Sequence, residues 1–182
     1  MATSDTNFWT ATVAKDPKRG FRFQVTMSNL GGTLWMAKKV DRPTLSLTEA
    51  KHDFLNHSFY WPARAEWSEI SITLVDPVSP DIAGSLMTFL QTSGYKLPAG
   101  TSAALSTISK KGALGATGTI QVDQLDEDGT PVETWLLKNA WVKEVDFSEL
   151  DYSNDDLSEI TLKIRYDWAQ FHSAQSGTLF AI

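Results

Sequence analysis

The strongest constraint on this chain is an alternation near its C-terminus. Ile160, Leu162, Ile164 and Tyr166 alternate with Glu159, Thr161, Lys163 and Arg165. Side chains leave a strand on opposite faces with a period of two, so this segment predicts a strand with one apolar and one polar face. The apolar face must find a second layer. Lys138–Phe171 as a whole reads as two such strands around a polar, acidic bend.

The same pattern recurs upstream. Phe21, Phe23, Val25 and Met27 alternate with Arg22, Gln24 and Thr26. Ser28–Gly32 is a turn signal, and Thr33–Val40 is expected as the second strand of a hairpin. Trp67–Asp76 predicts a strand in which Ile70, Ile72 and Leu74 share a face. Thr119–Leu125 and Val132–Leu137 predict a hairpin around Asp126–Pro131. Asp41–Glu66 is a long connection with short strands at Thr44–Leu47 and Phe54–Tyr60 and a polar connector, Thr48–Asp53, between them.

One helix is predicted, at about Pro80–Ser93. Ser79 suits the N-cap and Pro80 the first helical position. Ile82, Leu86, Phe89 and Leu90 form an apolar stripe, and Gly94 suits a left-handed C-terminal stop. The Gly-, Ser- and Ala-rich residues 95–118 are expected to be a loose excursion with a short helical turn near Ala103–Ser109. Seven or eight antiparallel strands and one flanking helix imply a mainly β chain, a sandwich or partly closed barrel. The organisation expected is an N-terminal arm at 1–20, a β-domain at 21–171 and a C-terminal tail at 172–182.

Charge limits the partners. The formal net charge of −6 conceals a strongly acidic section, Asp123–Glu159, with 12 acids against Lys138 and Lys143. Tight nucleic-acid binding needs basic clusters that neutralise phosphates, which this section lacks. No apolar run approaches the roughly 20 residues of a membrane span, and the first 20 residues lack the pattern of a signal peptide. We expect no membrane anchor and assembly in the cytoplasm.

Candidate chemistry is thin. Cysteine is absent, which removes thiolate ligands, thiol nucleophiles and disulfides. With Gly129 at the sixth position of a calcium loop, Trp135 falls where a bidentate Glu is needed. His52, Asp53 and His57 lack the spacing of a helical zinc pair. Gly112, Gly115 and Gly118 lack the strand–helix frame of a dinucleotide fingerprint. The acids around Asp151–Glu159 crowd a polar turn, with no reason for the burial that raises a catalytic pKa. No catalytic residue, cofactor or metal is expected.

Ala140-Trp141, Leu150-Asp151-Tyr152-Ser153 and Arg165-Tyr166-Asp167, in this order, resemble the C-terminal signature of tail tube proteins of contractile-tailed bacteriophages. Phe21–Met27 with Leu34-Trp35 is similar to that family's opening hairpin, and Trp67–Leu74 to its central strand. The resemblance implies a structural virion protein rather than an enzyme. It implies homohexameric rings whose inner strands join in one shared barrel, with the helix outside, and rings stacked into a hollow tube. Its partners are then further copies, a tail sheath protein, baseplate or tube-initiator proteins and tail terminator proteins. Genomic DNA passes through the lumen without specific binding. The tubes of type VI secretion systems resemble this design. Asp41–Glu66 is similar in place to the ring-stacking loop, so Phe8, Trp9, Lys51, His52, Phe54, Phe59 and Trp61 are expected at the ring-stacking interface. Glu133, Glu144 and Asp146 are the lumen-facing candidates. Two alternatives remain open: a baseplate or tube-initiator protein of the same fold, and a monomeric carbohydrate-binding β-sandwich.

Overall fold

Two sheets meet over one apolar core in the computed structural model, which describes residues 17–30, 32–33, 35–97, 107–153 and 155–180. The strands are β1 (Phe23–Met27), β2 (Gly32–Thr33), β3 (Ala37–Val40), β4 (Leu45–Phe54), β5 (His57–Trp67) and β6 (Ile70–Val75), then β7 (Ile120–Leu125), β8 (Pro131–Lys138), β9 (Trp141–Phe147), β10 (Glu159–Arg165), β11 (Trp168–Ser173) and β12 (Gly177–Leu179). The first sheet runs β12-β11-β8-β7-β1-β2 and the second β3-β6-β10-β9; β4 and β5 form a separate hairpin. All pairings are antiparallel. Neither sheet closes into a barrel among the described residues.

The alternation fixes which face is covered. Ile160, Leu162 and Ile164 of β10 lie opposite Leu74, Ile72 and Ile70 of β6, and all six are buried. Val25, Met27, Ile120, Leu137 and Ala169 of the first sheet join the same core. Fully burying one such side chain stabilises the fold by about 1.5–3 kcal/mol. Thr161 and Lys163 turn the other way, onto the polar face.

Two helices, rather than one, are present among the described residues. Helix α1 (Ile82–Thr92) buries Ile82 and Leu86. Its N-cap is Asp81, not Ser79: the carboxylate accepts a hydrogen bond from the Gly84 amide at 2.8 Å. Gly94 follows it with φ of +110°, the left-handed stop expected from the sequence. Helix α2 (Lys110–Thr117) occupies part of the stretch expected to be loose; the helical turn expected near 103–109 falls mostly outside the described residues. Ser109 caps α2 by accepting from the Gly112 amide at 3.0 Å. A Cβ on Gly112 would lie 2.6 Å from the Ser93 carbonyl oxygen, so glycine is what lets α2 approach the end of α1. Asn29 Nδ2 donates to the Gly115 and Ala116 carbonyls at 2.8 and 2.9 Å, satisfying the open end of α2.

Further expectations change. Lys138–Phe171, expected to hold two strands, holds β9, β10 and the start of β11, which crosses to the other sheet, and the strand expected at Phe54–Tyr60 is divided by the turn at Leu55-Asn56. Thr33–Val40 is divided: β2 pairs with β1, whereas β3 crosses to β6 in the other sheet. Trp67–Asp76 is divided at Ser68-Glu69 between β5 and β6. Thr48–Asp53 is no loop connector but the middle of β4.

Candidate assembly interface

The β4–β5 hairpin is ten residues on one side and eleven on the other, and its residues are almost all exposed. A two-stranded ribbon is marginal in water without a surface to pack on. Its register explains which surface it offers. Leu45 pairs with Trp67 and Leu47 with Ala65; beyond a bulge, Ala50 pairs with Trp61, His52 with Phe59 and Phe54 with His57. One residue of β4 and two of β5 lie between Leu47/Ala65 and Glu49/Pro62, so β5 carries the extra residue. Directly opposed residues share a face. Leu45, Leu47, Ala65 and Trp67 therefore lie on one face of the base. Ala50, His52, Phe54, Phe59 and Trp61 lie on the opposite face of the tip.

The base is attached to the chain's own core. The Trp67 ring lies 6.1 Å from that of Tyr166 and 6.2 Å, edge-on, from Phe180. Burial pushes the Tyr166 phenol up to about 12, so it stays neutral throughout the physiological range. The tip has no such cover. His52 and Phe59 each lie 6.2 Å from the Trp61 ring, an aromatic group open to solvent on its outer side. The reverse face carries the exposed Tyr60 opposite Lys51 together with a polar group: Lys51 Nζ is 3.0 Å from Asp53, and Ser58 donates to the same carboxylate at 2.6 Å. The Ser58 and Lys51 contacts hold Asp53 below its ordinary pKa. His52, Phe54, Phe59 and Trp61 are thus brought together, and Lys51 is separated from them on the other face. Phe8 and Trp9 lie outside the described residues.

The four-stranded sheet offers a second surface. Its polar face carries ion pairs that cross the strands. Lys163 Nζ lies 2.8 Å from Glu144, Lys143 lies 2.7 Å from Glu69, and Lys38 contacts Glu159. Glu144 raises the Lys163 pKa and Lys143 lowers that of Glu69, mainly through these hydrogen bonds. Asp146, opposite Thr161, extends the same face. Glu133 does not belong with them. It sits on β8 in the other sheet, largely buried, in contact with Lys18 and with Arg42 at 3.8 Å. Strand alternation alone could not have distinguished these positions, because it does not say which sheet a strand joins.

Both edges of this sheet are open. β3 ends one side and β9 the other, with no further strand among the described residues. Successive antiparallel pairing makes β9 run opposite to β3. Two copies placed side by side can therefore continue the sheet in the antiparallel sense. This signal lay in the sheet order and was invisible in the sequence.

No family model and no curated protein matches the sequence. Its fold does match solved structures. A chain of the cryo-EM structure of the sheath/tube terminator of PVC, an extracellular contractile injection system, superposes with a TM-score of 0.65 at 14% identity, over 88% of this chain and 100% of that one. A chain of the PVC sheath–tube complex gives 0.61 at 14% identity, over 95% and 100%. A chain of the anti-feeding prophage baseplate gives 0.62 at 14% identity, over 88% and 99%. The chain has the fold found in tube-complex components of contractile injection systems.

Proposed function

We propose that this protein is the tube subunit of a contractile particle: it closes into homohexameric rings that stack into a hollow tube inside a sheath. The carrying observation is the four-stranded sheet, with one polar face and two open edges of opposite direction. Head-to-tail joining of β9 to β3 of the next copy removes both edges and turns the polar face inward as the wall of a bore.

The tip of the β4–β5 hairpin reaches the adjacent ring. His52, Phe54, Phe59 and Trp61 supply the apolar contact, Lys51 lies on the polar rim, and Phe8 and Trp9 of the N-terminal arm add to it. Clustered exposed aromatic side chains with a charged rim are the composition of an interface. Met87, Tyr95 and Leu97, exposed on and after α1, form the outer surface offered to a sheath protein. Baseplate or initiator and terminator proteins cap the two ends.

In this reading the particle is a virion and the bore conducts its genome. Glu144 and Asp146 face the bore, whereas Glu133, on β8 of the other sheet, does not share that face. Carboxylates near the path repel phosphate over about 8 Å at physiological salt. Size-exclusion light scattering and negative-stain microscopy test the proposal together. Rings and stacked tubes are the expected result. Monodisperse monomer at high concentration refutes it, and rings that never elongate assign the chain to the initiator or terminator role instead.

A further inference from the structure

We infer that Trp35 is a plug that seats in the β9–β10 loop of a second copy of this chain and forms the side-chain lock between neighbouring subunits. The inference rests on the ring reading above and names the contact that holds the ring together.

The loop from Ser148 to Glu159 encloses an open hollow of about 590 Å³. Leu150, Tyr152 and Leu157 line it, with Glu149, Asp151 and Asp156 among its walls. Leu150 is 86% exposed and Leu157 71%. A loop that holds three large apolar side chains in water has surface to cover. At the other edge of the same sheet, Trp35 is 72% exposed in the turn that enters β3.

Register places the two at the same end of the sheet. Ala37 pairs with Leu74, Leu74 with Ile160, and Ile160 with Phe147, so Ala37 and Phe147 stand in one row. In the turn that leads into β3, Trp35 lies two residues before that row. The hollow begins one residue after it on β9. Since β9 runs opposite to β3, both leave the sheet at the same end. When β9 of one copy is set beside β3 of the next, the hollow of the first faces Trp35 of the second.

The chemistry is complementary. An indole brings a large apolar face and one N–H donor. The hollow offers apolar walls and carboxylate acceptors. Lys39, exposed just beyond Trp35, brings positive charge to the acidic loop of the next copy, while Lys38 is held by Glu159 of its own chain. A tryptophan seated in a pocket whose surrounding contacts exclude water is the form that binding hot spots take. The plug lies on one edge and its socket on the other, so the contact is heterologous and closes only as a ring.

The absence of native cysteine makes the test direct. The full chain carrying Trp35→Cys with Leu150→Cys, and separately Trp35→Cys with Leu157→Cys, is oxidised after assembly and run under denaturing, non-reducing conditions. At least one pair is expected to give a covalent ladder up to the closed ring, whereas each single cysteine gives none. Trp35→Ala is expected to raise the concentration needed for rings by roughly tenfold or more, with Trp35→Phe between it and the native protein. Trp35 is exposed, so an unchanged melting temperature in Trp35→Ala separates lost assembly from lost folding. Rings that persist in Trp35→Ala, with no ladder from either pair, overturn the inference and leave the tube reading standing. Absence of rings from the unsubstituted protein overturns both.

Discussion

Lys110 and Asp167 are joined across 57 residues, Nζ lying 2.6 Å from Oδ2, and the contact ties the start of α2 to the turn between β10 and β11. Asn139 donates to the same carboxylate at 2.8 Å. The Lys110 contact is the main cause of the lowered Asp167 pKa, despite a smaller opposing effect of burial. A depressed folded pKa stabilises fully above the ordinary value of 3.8 and is lost as pH falls through the lower folded value. Asp167→Asn is therefore expected to lower the melting temperature at neutral pH, and to reduce the further loss seen on acidification below about pH 4. Thermal melts from pH 7 down to pH 2 measure this. Parallel curves for the two proteins would remove the carboxylate from the account.

Two glycines of α2 should respond in opposite directions. Gly112→Ala places a methyl 2.6 Å from backbone oxygen of Ser93, which cannot rotate away. A destabilisation of about 1–3 kcal/mol is expected. Gly115→Ala meets nothing within 4 Å, so the gain in helix propensity should stabilise by up to about 1 kcal/mol. Urea denaturation of both variants gives the two signs.

The core should be sensitive where the sheets meet. Leu162 is fully buried between β6 and β9, and Leu162→Ala is expected to cost about 2–5 kcal/mol. A loss below 1 kcal/mol would mean that the site collapses around the missing methyls or that the sheets are less tightly packed than described.

The hairpin tip should be dispensable for folding and necessary for elongation. Phe59→Ser with Trp61→Ser removes half-exposed rings, so the melting temperature should change little. Tubes should be replaced by single rings in micrographs, and so should they when Ala50–Leu55 is deleted. Long tubes in either variant would place the stacking contact elsewhere.

Reversing charge on the polar face tests the bore. Glu144→Lys with Asp146→Lys sets one new lysine beside Lys163. Tubes are expected to assemble but to retain DNA, more strongly at low salt than at physiological salt. Co-sedimentation of DNA with assembled tubes reads this out, and equal retention by native and variant tubes would put both residues outside the bore.

What could be read from the sequence was the part written in a single period. β6 and β10 follow from their alternation, α1 from its stripe and the Gly94 stop. The β7–β8 hairpin follows from its turn, where Asp126 accepts from the amides of Asp128 and Thr130 at 3.0 and 2.7 Å. The rest failed for identifiable reasons. α2 was concealed because glycine reads as flexibility, although Gly112 is there for close approach. The β4–β5 hairpin was concealed because its bulge breaks the period, and because its turn uses Leu55 at φ of +51° rather than an Asn-Gly signal. Of the site, the aromatic group around Trp61 was legible as composition, but its separation from Lys51 required the register. The roles proposed for Trp35 and for the loop at Leu150 rest on strand order, which pairs residues far apart in sequence.

If the subunits close into rings as proposed, the open edges of β3 and β9 carry a genetic consequence. A subunit damaged at one edge still has the other intact, so it can join a neighbour and then offer nothing to the next. Such a copy is worse than an absent one, because it uses up a sound partner in a circle that cannot close. Lesions confined to one edge should therefore be dominant when mutant and native copies are made together, whereas lesions in the Leu162 core, which remove the subunit before it meets any partner, should be recessive.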